Sequence, residues 1–185
     1  MKVTSITRPA AAPVALERAR QGDSAAWAEL YRWLSPQVLG YLRARGAAEP
    51  EDLLGEVFVQ AVRDFGSFRG SEPDFRAWIF SIAHHRLIDA ARRSGRRPVE
   101  PVPTEELTAN AEAGDAEAEA MAQISTGEVV RLLATLSEDQ KSVILLRVVG
   151  GLTVPEVARV IEKRPGAVKQ LQRRGIARLR KELGE

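Results

Sequence analysis

Apolar residues along this chain recur every three to four positions, and no segment alternates with period two between hairpin turns, so the pattern predicts helices only. Asp23 or Ser24 is placed to cap a helix whose apolar stripe is Trp27, Leu30, Tyr31 and Leu34. Ser35 and Pro36 predict a restart, because proline is welcome at a first helical position, with Val38, Leu39 and Leu42 continuing the buried face. After a turn from 46 to 50, Leu53, Leu54, Val57, Phe58, Ala61, Val62 and Phe65 predict a strongly amphipathic helix. A loop over 66–73 then leads to a helix marked by Phe75, Trp78, Ile79, Ile82, Ala83, Leu87 and Ala90.

The pattern lapses between 98 and about 124, where prolines give way to Ala, Glu, Asp and Gly with few large apolar side chains. Such a stretch buries too little surface to offset its ordering entropy, so a flexible linker is expected. Periodicity resumes with Val129, Leu132, Leu133 and Leu136. Ser137 with Gln140, and Thr153 with Glu156, have capping-box spacing, and Gly150 with Gly151 stops the helix between them. A short helix to Ile161, a turn and a long helix from Pro165 to about Glu182 complete the pattern. The expected fold is all-α: a tail over 1–13, a helical domain over 14–97, a linker over 98–126 and a second helical domain over 127–185.

Charge sharpens this division. Arg86, Arg92, Arg93, Arg96 and Arg97 stand against the single acid Asp89; eight acids and no Lys or Arg lie between 98 and 130; nine basic residues face three acids from Arg159 onward. Two blocks suited to phosphate are thus joined by one that repels it. Cysteine is absent, which excludes disulfides, thiol catalysis and cysteine-ligated zinc. His84 and His85 are adjacent on a helix and diverge by about 100°, so they cannot share one ion, and neither a metal nor a cofactor is expected. With no signal peptide and no membrane-spanning apolar run, the expected location is the cytoplasm.

Residues 153–180 have the grammar of a helix-turn-helix: a short capped helix with Ala158 at the close-packing point, a tight turn, then a longer basic helix. Val168, Leu171, Gly175 and Leu179 fall on its inner face, while Lys169, Gln170, Gln172, Arg173 and Arg174 occupy the others. Long donors near the start of such a helix can reach base edges in the major groove. The stretch from Leu133 to Arg147 (Leu-Ala-Thr-Leu-Ser-Glu-Asp-Gln-Lys-Ser-Val-Ile-Leu-Leu-Arg), with Gly-Leu-Thr-Val-Pro-Glu-Val-Ala from Gly151 and Gly-Ala-Val-Lys-Gln from Gly166, resembles region four of sigma-70-family factors. Upstream, Asp-Leu-Leu-Gly-Glu-Val-Phe-Val-Gln-Ala-Val-Arg from Asp52 resembles the polymerase-binding helix of region two. Phe-Arg-Ala-Trp-Ile-Phe-Ser-Ile-Ala-His-His-Arg-Leu-Ile-Asp from Phe75 resembles that region's promoter-melting helix. The order, and the lack of a middle domain, resemble the extracytoplasmic-function (ECF) subgroup.

That resemblance implies a non-catalytic initiation subunit, monomeric within the holoenzyme, with core RNA polymerase, promoter DNA and an anti-sigma factor as partners. It places Asp52, Leu54, Glu56, Gln60 and Arg63 against the polymerase clamp helices. Phe68, Trp78, Ile82 and His85 would grip a flipped base of the melted downstream element, with Arg86, Arg92, Arg93, Arg96 and Arg97 following phosphates. Lys169, Gln170, Arg173 and Arg174 would read the upstream element, and the acidic linker would thread the polymerase cleft. Core packing is the rival role for Trp78 and Ile82, which share a stripe with Phe75. The turn at Glu162, Lys163 and Arg164 departs from the family in lacking glycine and a capping Ser, so Glu162 is expected to bear strain if it takes positive φ. A stand-alone helix-turn-helix regulator with a helical sensor domain is the competing reading; a nucleic-acid-processing enzyme lacks the necessary nucleophile or metal constellation.

Overall fold

The structure, a computed structural model, describes residues 12–93, 95 and 126–184, and its regular elements there are all helical. The first unit comprises α1 (Ala12–Arg20), α2 (Ser24–Ala44), α3 (Pro50–Asp64), a 3-10 turn (Phe65–Ser67) and α4 (Glu72–Arg93). The second comprises α5 (Thr126–Ala134), α6 (Glu138–Val148), α7 (Val154–Val160) and α8 (Pro165–Leu183). The expected acidic linker, Arg96 and Arg97 lie outside the described residues.

In the first unit, the Asp23 carboxylate caps α2 by accepting the Ala25 N–H at 2.8 Å and also pairs with Arg18 at 2.6 Å, which holds Asp23 below the usual carboxylate range. The expected restart at Pro36 does not occur: α2 runs unbroken for 21 residues with proline inside it. Pro36 supplies no N–H to the carbonyl four residues back, but it lies on the exposed face, where water can satisfy that group. Leu30, Leu34, Val38, Tyr41 and Leu42 bury the other face and carry the helix through. Helix α1 was not expected from the pattern; Ala15, Leu16 and Ala19 give it only a narrow buried stripe against α2.

In the second unit both capping boxes form. Ser137 accepts from Gln140 N–H at 3.3 Å and the Gln140 side chain returns the bond at 3.1 Å; Thr153 and Glu156 do the same. The turn between α6 and α7 passes through Gly151 at φ +62°, a conformation open to glycine and costly to most residues. Helices α6 and α8 approach closely at Gly175, where an added Cβ would lie 2.6 Å from Ile144 Cδ1.

The two units pack on one another, which the sequence did not announce. Phe80 of α4, fully buried, faces Gly150, and Arg45 at the end of α2 is 3% exposed and pairs with Glu138 of α6 at 2.5 Å. Beside that pair Tyr41 and His84 Nδ1 are hydrogen-bonded at 2.8 Å. Burial pushes the Tyr41 hydroxyl up to about 12; burial, then the Arg45 charge, pushes the His84 imidazole down to about 4.

His84 therefore stays neutral in the fold while it charges readily in the unfolded chain. Its contribution to stability is complete above the unfolded value near 6.5 and is lost as pH falls toward 4. Urea unfolding across this window is expected to show stability declining by up to about 1.4 kcal/mol per pH unit from this one proton. The decline between pH 6.5 and 5 should vanish in His84→Gln.

Candidate nucleic-acid interface

The outer face of α3 carries Asp52, Glu56 and Arg63 exposed to solvent, with Gln60 half-buried. Leu54, expected on this face, is instead 6% exposed: it points to the core with Leu53, Val57 and Phe58. Val62, expected inside, is 52% exposed, and Val59 is 69% exposed. The sequence pattern overlooked Val59 and misplaced Val62, because a helix with apolar residues on both sides does not reveal which side is covered. The outcome is an acidic helix edge bearing two bare valines, a combination suited to a protein partner.

Helix α4 presents the second group. Trp78, Ser81, Ile82, His85, Arg86 and Asp89 line an open cavity of about 400 Å³ together with Gln60 of α3. Arg86 ties the two helices: its Nε donates to Gln60 Oε1 at 2.8 Å and its guanidinium lies 3.3 Å from Glu56. Trp78 is half-buried, and the bulk of Ile82, 7% exposed, packs inward. Phe68 is where the expectation of a free base-stacking ring fails. It is 9% exposed and stacked between Phe65 (6.1 Å) and Trp78 (5.0 Å), with Phe75 against its edge, so neither face is free. Its observed role is to brace Trp78 from behind. Arg92 and Arg93 project from the end of α4 into solvent.

His85 is 48% exposed and lies 3.4 Å from Glu162 of the second unit, whereas its neighbour His84 is buried. Their rings are 5.9 Å apart at 68°, facing different surroundings as the helical angle requires. Among the described residues no group of three His, Asp or Glu side chains comes together as metal ligands.

Helices α7 and α8 form the expected helix-turn-helix. Val157, Ala158 and Val168 are buried where the two meet, and Gly175 lets α8 lie on α6. The turn has the strain foreseen for it: Glu162 takes φ +54°, and Arg164 stands at the N-cap of α8 without a side-chain hydrogen bond. Lys169, Gln170, Arg173 and Arg174 are all exposed on the first half of α8. Lys169 and Arg173 share a shallow groove with Gln172, Ile176 and Arg180, while Gln170 and Arg174 lie one helical turn apart on the adjoining face.

Comparison with known proteins divides the chain at the same place. A family model described as Sigma-70 region 2 matches residues 30–97, and one described as Sigma-70, region 4 matches residues 126–179. The ECF RNA polymerase sigma factor ShbA of Streptomyces griseus is 32% identical over 174 residues, covering 89% of this chain and 91% of that protein. The ECF RNA polymerase sigma factor BldN of Streptomyces coelicolor is 34% identical over 166 residues; the match covers 89% of this chain but 62% of the longer relative. Among solved structures, CnrH, determined in complex with the cytosolic domain of CnrY, has the same fold with a TM-score of 0.68 at 24% identity, covering 94% of this chain and 97% of that one.

The strained turn yields a stability test. Glu162→Gly removes a left-handed strain of about 1–2 kcal/mol, offset in part by glycine's larger unfolded-state entropy. The ion pair lost with His85 is exposed and contributes little. Thermal unfolding of Glu162→Gly is expected to show a net gain of about 0.5–1 kcal/mol over the parent chain.

Proposed function

The chain belongs to the ECF subgroup of sigma-70-family RNA polymerase sigma factors, non-catalytic subunits that bind core polymerase and promoter DNA, and we propose how its surfaces divide that work. Region two, taken as residues 14–97, docks polymerase and grips the downstream element. Region four, residues 127–185, reads the upstream element, and the acidic stretch 98–126 connects them through the polymerase. The observation that carries this assignment is the pairing of an acidic, partly apolar α3 edge with a basic, fully exposed α8 start on two separately capped units.

On α3, Asp52, Glu56 and Arg63 supply charge and Val59 and Val62 supply apolar contact to the polymerase clamp helices. Gln60 and Arg86 join this edge to α4, so docking there bears directly on the helix that meets DNA. On α4 the cavity beneath Trp78, His85 and Arg86 accepts an unpaired base, Ile82 closing its floor and Phe68 holding Trp78 in place. Arg92 and Arg93 extend the contact along phosphates, which draw the strand in without reading it. On α8, Lys169, Gln170, Arg173 and Arg174 face the major groove. An anti-sigma factor, the further partner implied by resemblance, would act by covering one of these faces. The site of action is the cytoplasm, where polymerase and chromosome meet; no described helix is long and apolar enough to cross a membrane.

Two experiments test the division. Asp52→Ala with Val59→Ser should weaken co-elution with core polymerase while the circular dichroism spectrum stays native, because both side chains are exposed. Undiminished co-elution would remove α3 as the docking edge. In transcription from randomised upstream elements, Arg174→Ala should relax preference at one or two base pairs, worth roughly 1–3 kcal/mol each. Arg178→Ala should leave preference unchanged and flatten the salt dependence of binding by about one log–log unit. Unchanged preference in Arg174→Ala, Arg173→Ala and Lys169→Ala alike would show that α8 is not the reader.

A further inference from the structure

The contact between the two units is built from groups that are stable there only while the units stay together. Arg45, 3% exposed, directs its guanidinium to Glu138 Oε2 at 2.5 Å and toward the Glu138 carbonyl at 3.4 Å. Lys141, itself 6% exposed, holds the other carboxylate oxygen of Glu138 at 3.2 Å. One carboxylate of the second unit thus neutralises two buried cations, one of them from the first unit. Glu138 also opens α6, where the positive end of the helix favours a carboxylate. Around this pair lie the buried Tyr41 and His84, and Phe80 covered by Gly150. Arg159 with Asp74 at 3.2 Å and Glu162 with His85 at 3.4 Å mark the exposed rim.

This arrangement also decides where the two DNA-facing helices stand. Glu162, in the helix-turn-helix turn, touches His85 of α4, and α8 begins three residues later. The upstream reader is therefore held against the downstream grip. On the reading proposed above, one helix enters duplex DNA and the other holds a melted strand. Even one turn of intervening duplex separates such sites by about 34 Å, far beyond a side-chain contact.

We propose that this packed form is a closed, promoter-incompetent state of the factor, latched by the Arg45–Glu138 pair, and that engagement of polymerase opens it by parting the two units. The latch is conditional by construction. A buried charge that loses its partner is strongly disfavoured, so the pair opposes partial separation, yet once the units part both charges return to water and the opposition ends. Burial of Phe80 and Tyr41 adds cohesion without setting orientation, whereas the charge pair fixes which surfaces meet.

The chain has no cysteine, so single cysteines introduced at the exposed Arg32 of α2 and Glu182 of α8 can carry a donor and an acceptor dye for a distance measurement. In the otherwise unaltered full chain a short distance is expected. Glu138→Arg should lengthen it, and Arg45→Glu combined with Glu138→Arg should shorten it again. Arg159→Glu, exposed and opposite Asp74, loosens the same contact without burying a new charge and so serves should Glu138→Arg misfold. Promoter-directed transcription at limiting factor should rise with opening, by about tenfold where the closed form holds nine molecules in ten. An unchanged dye distance in both folded single variants overturns the latch. A lengthened distance with unchanged transcription overturns the closed state as a control on activity. Failure of the unaltered factor to direct core polymerase at all would instead undo the functional reading on which the inference rests.

Discussion

The fold depends on how α4 is covered. Its buried residues, among them Phe75, Ile79, Ile82, Ala83, Leu87, Phe80, His84 and Ala77, occupy far more of its circumference than the single apolar stripe of a surface helix. One neighbouring layer cannot cover so wide an arc. Helices α2 and α3 take the side of Phe75, Ile79 and Ile82, and the second unit closes over Phe80. The meeting of the two units is thus demanded by the helix at the centre of the first.

Where that demand is met, polar groups have been carried inside, and their chemistry follows from burial. Tyr41 and His84 satisfy one another at 2.8 Å, and each is held in its neutral form, the phenol by a raised pKa and the imidazole by a lowered one. Arg45 cannot become neutral, so it must bring a carboxylate in with it. Apolar contact alone would tolerate many relative placements of two small helical units. A buried guanidinium with one partner 93 residues away in the chain tolerates few.

The functional faces follow from what remains uncovered. On α3, burial of Leu53, Leu54, Val57 and Phe58 leaves Asp52, Glu56, Val59 and Val62 outward; on α8, burial of Val168 and Gly175 leaves the basic side chains outward. The same aromatic packing that stabilises the start of α4 decides which ring meets a ligand. Phe68 is consumed in the stack, and Trp78, at its outer end, is offered to the cavity.

Local chemistry was legible from the residues. Ser137 with Gln140 and Thr153 with Glu156 formed the boxes their spacing announced, and Gly150 with Gly151 ended α6 as expected. Glu162 took the positive φ that the lack of a turn glycine implied, because caps and turns are decided within four or five residues. The all-α class, the helix-turn-helix and the basic face of α8 were readable for the same reason. Position relative to distant neighbours was not. Pro36 could be read as a break because the sequence does not show the buried face that holds α2 together; Leu54 and Val62 exchanged places because either side of α3 was apolar enough to be the core. The joining of Arg45 to Glu138, and with it the placement of α4 beside the turn at Glu162, rests on two charges with no periodic or local signature. Only the tertiary structure decides such a pair, since its stability exists nowhere but in the low-dielectric space that the assembled helices create.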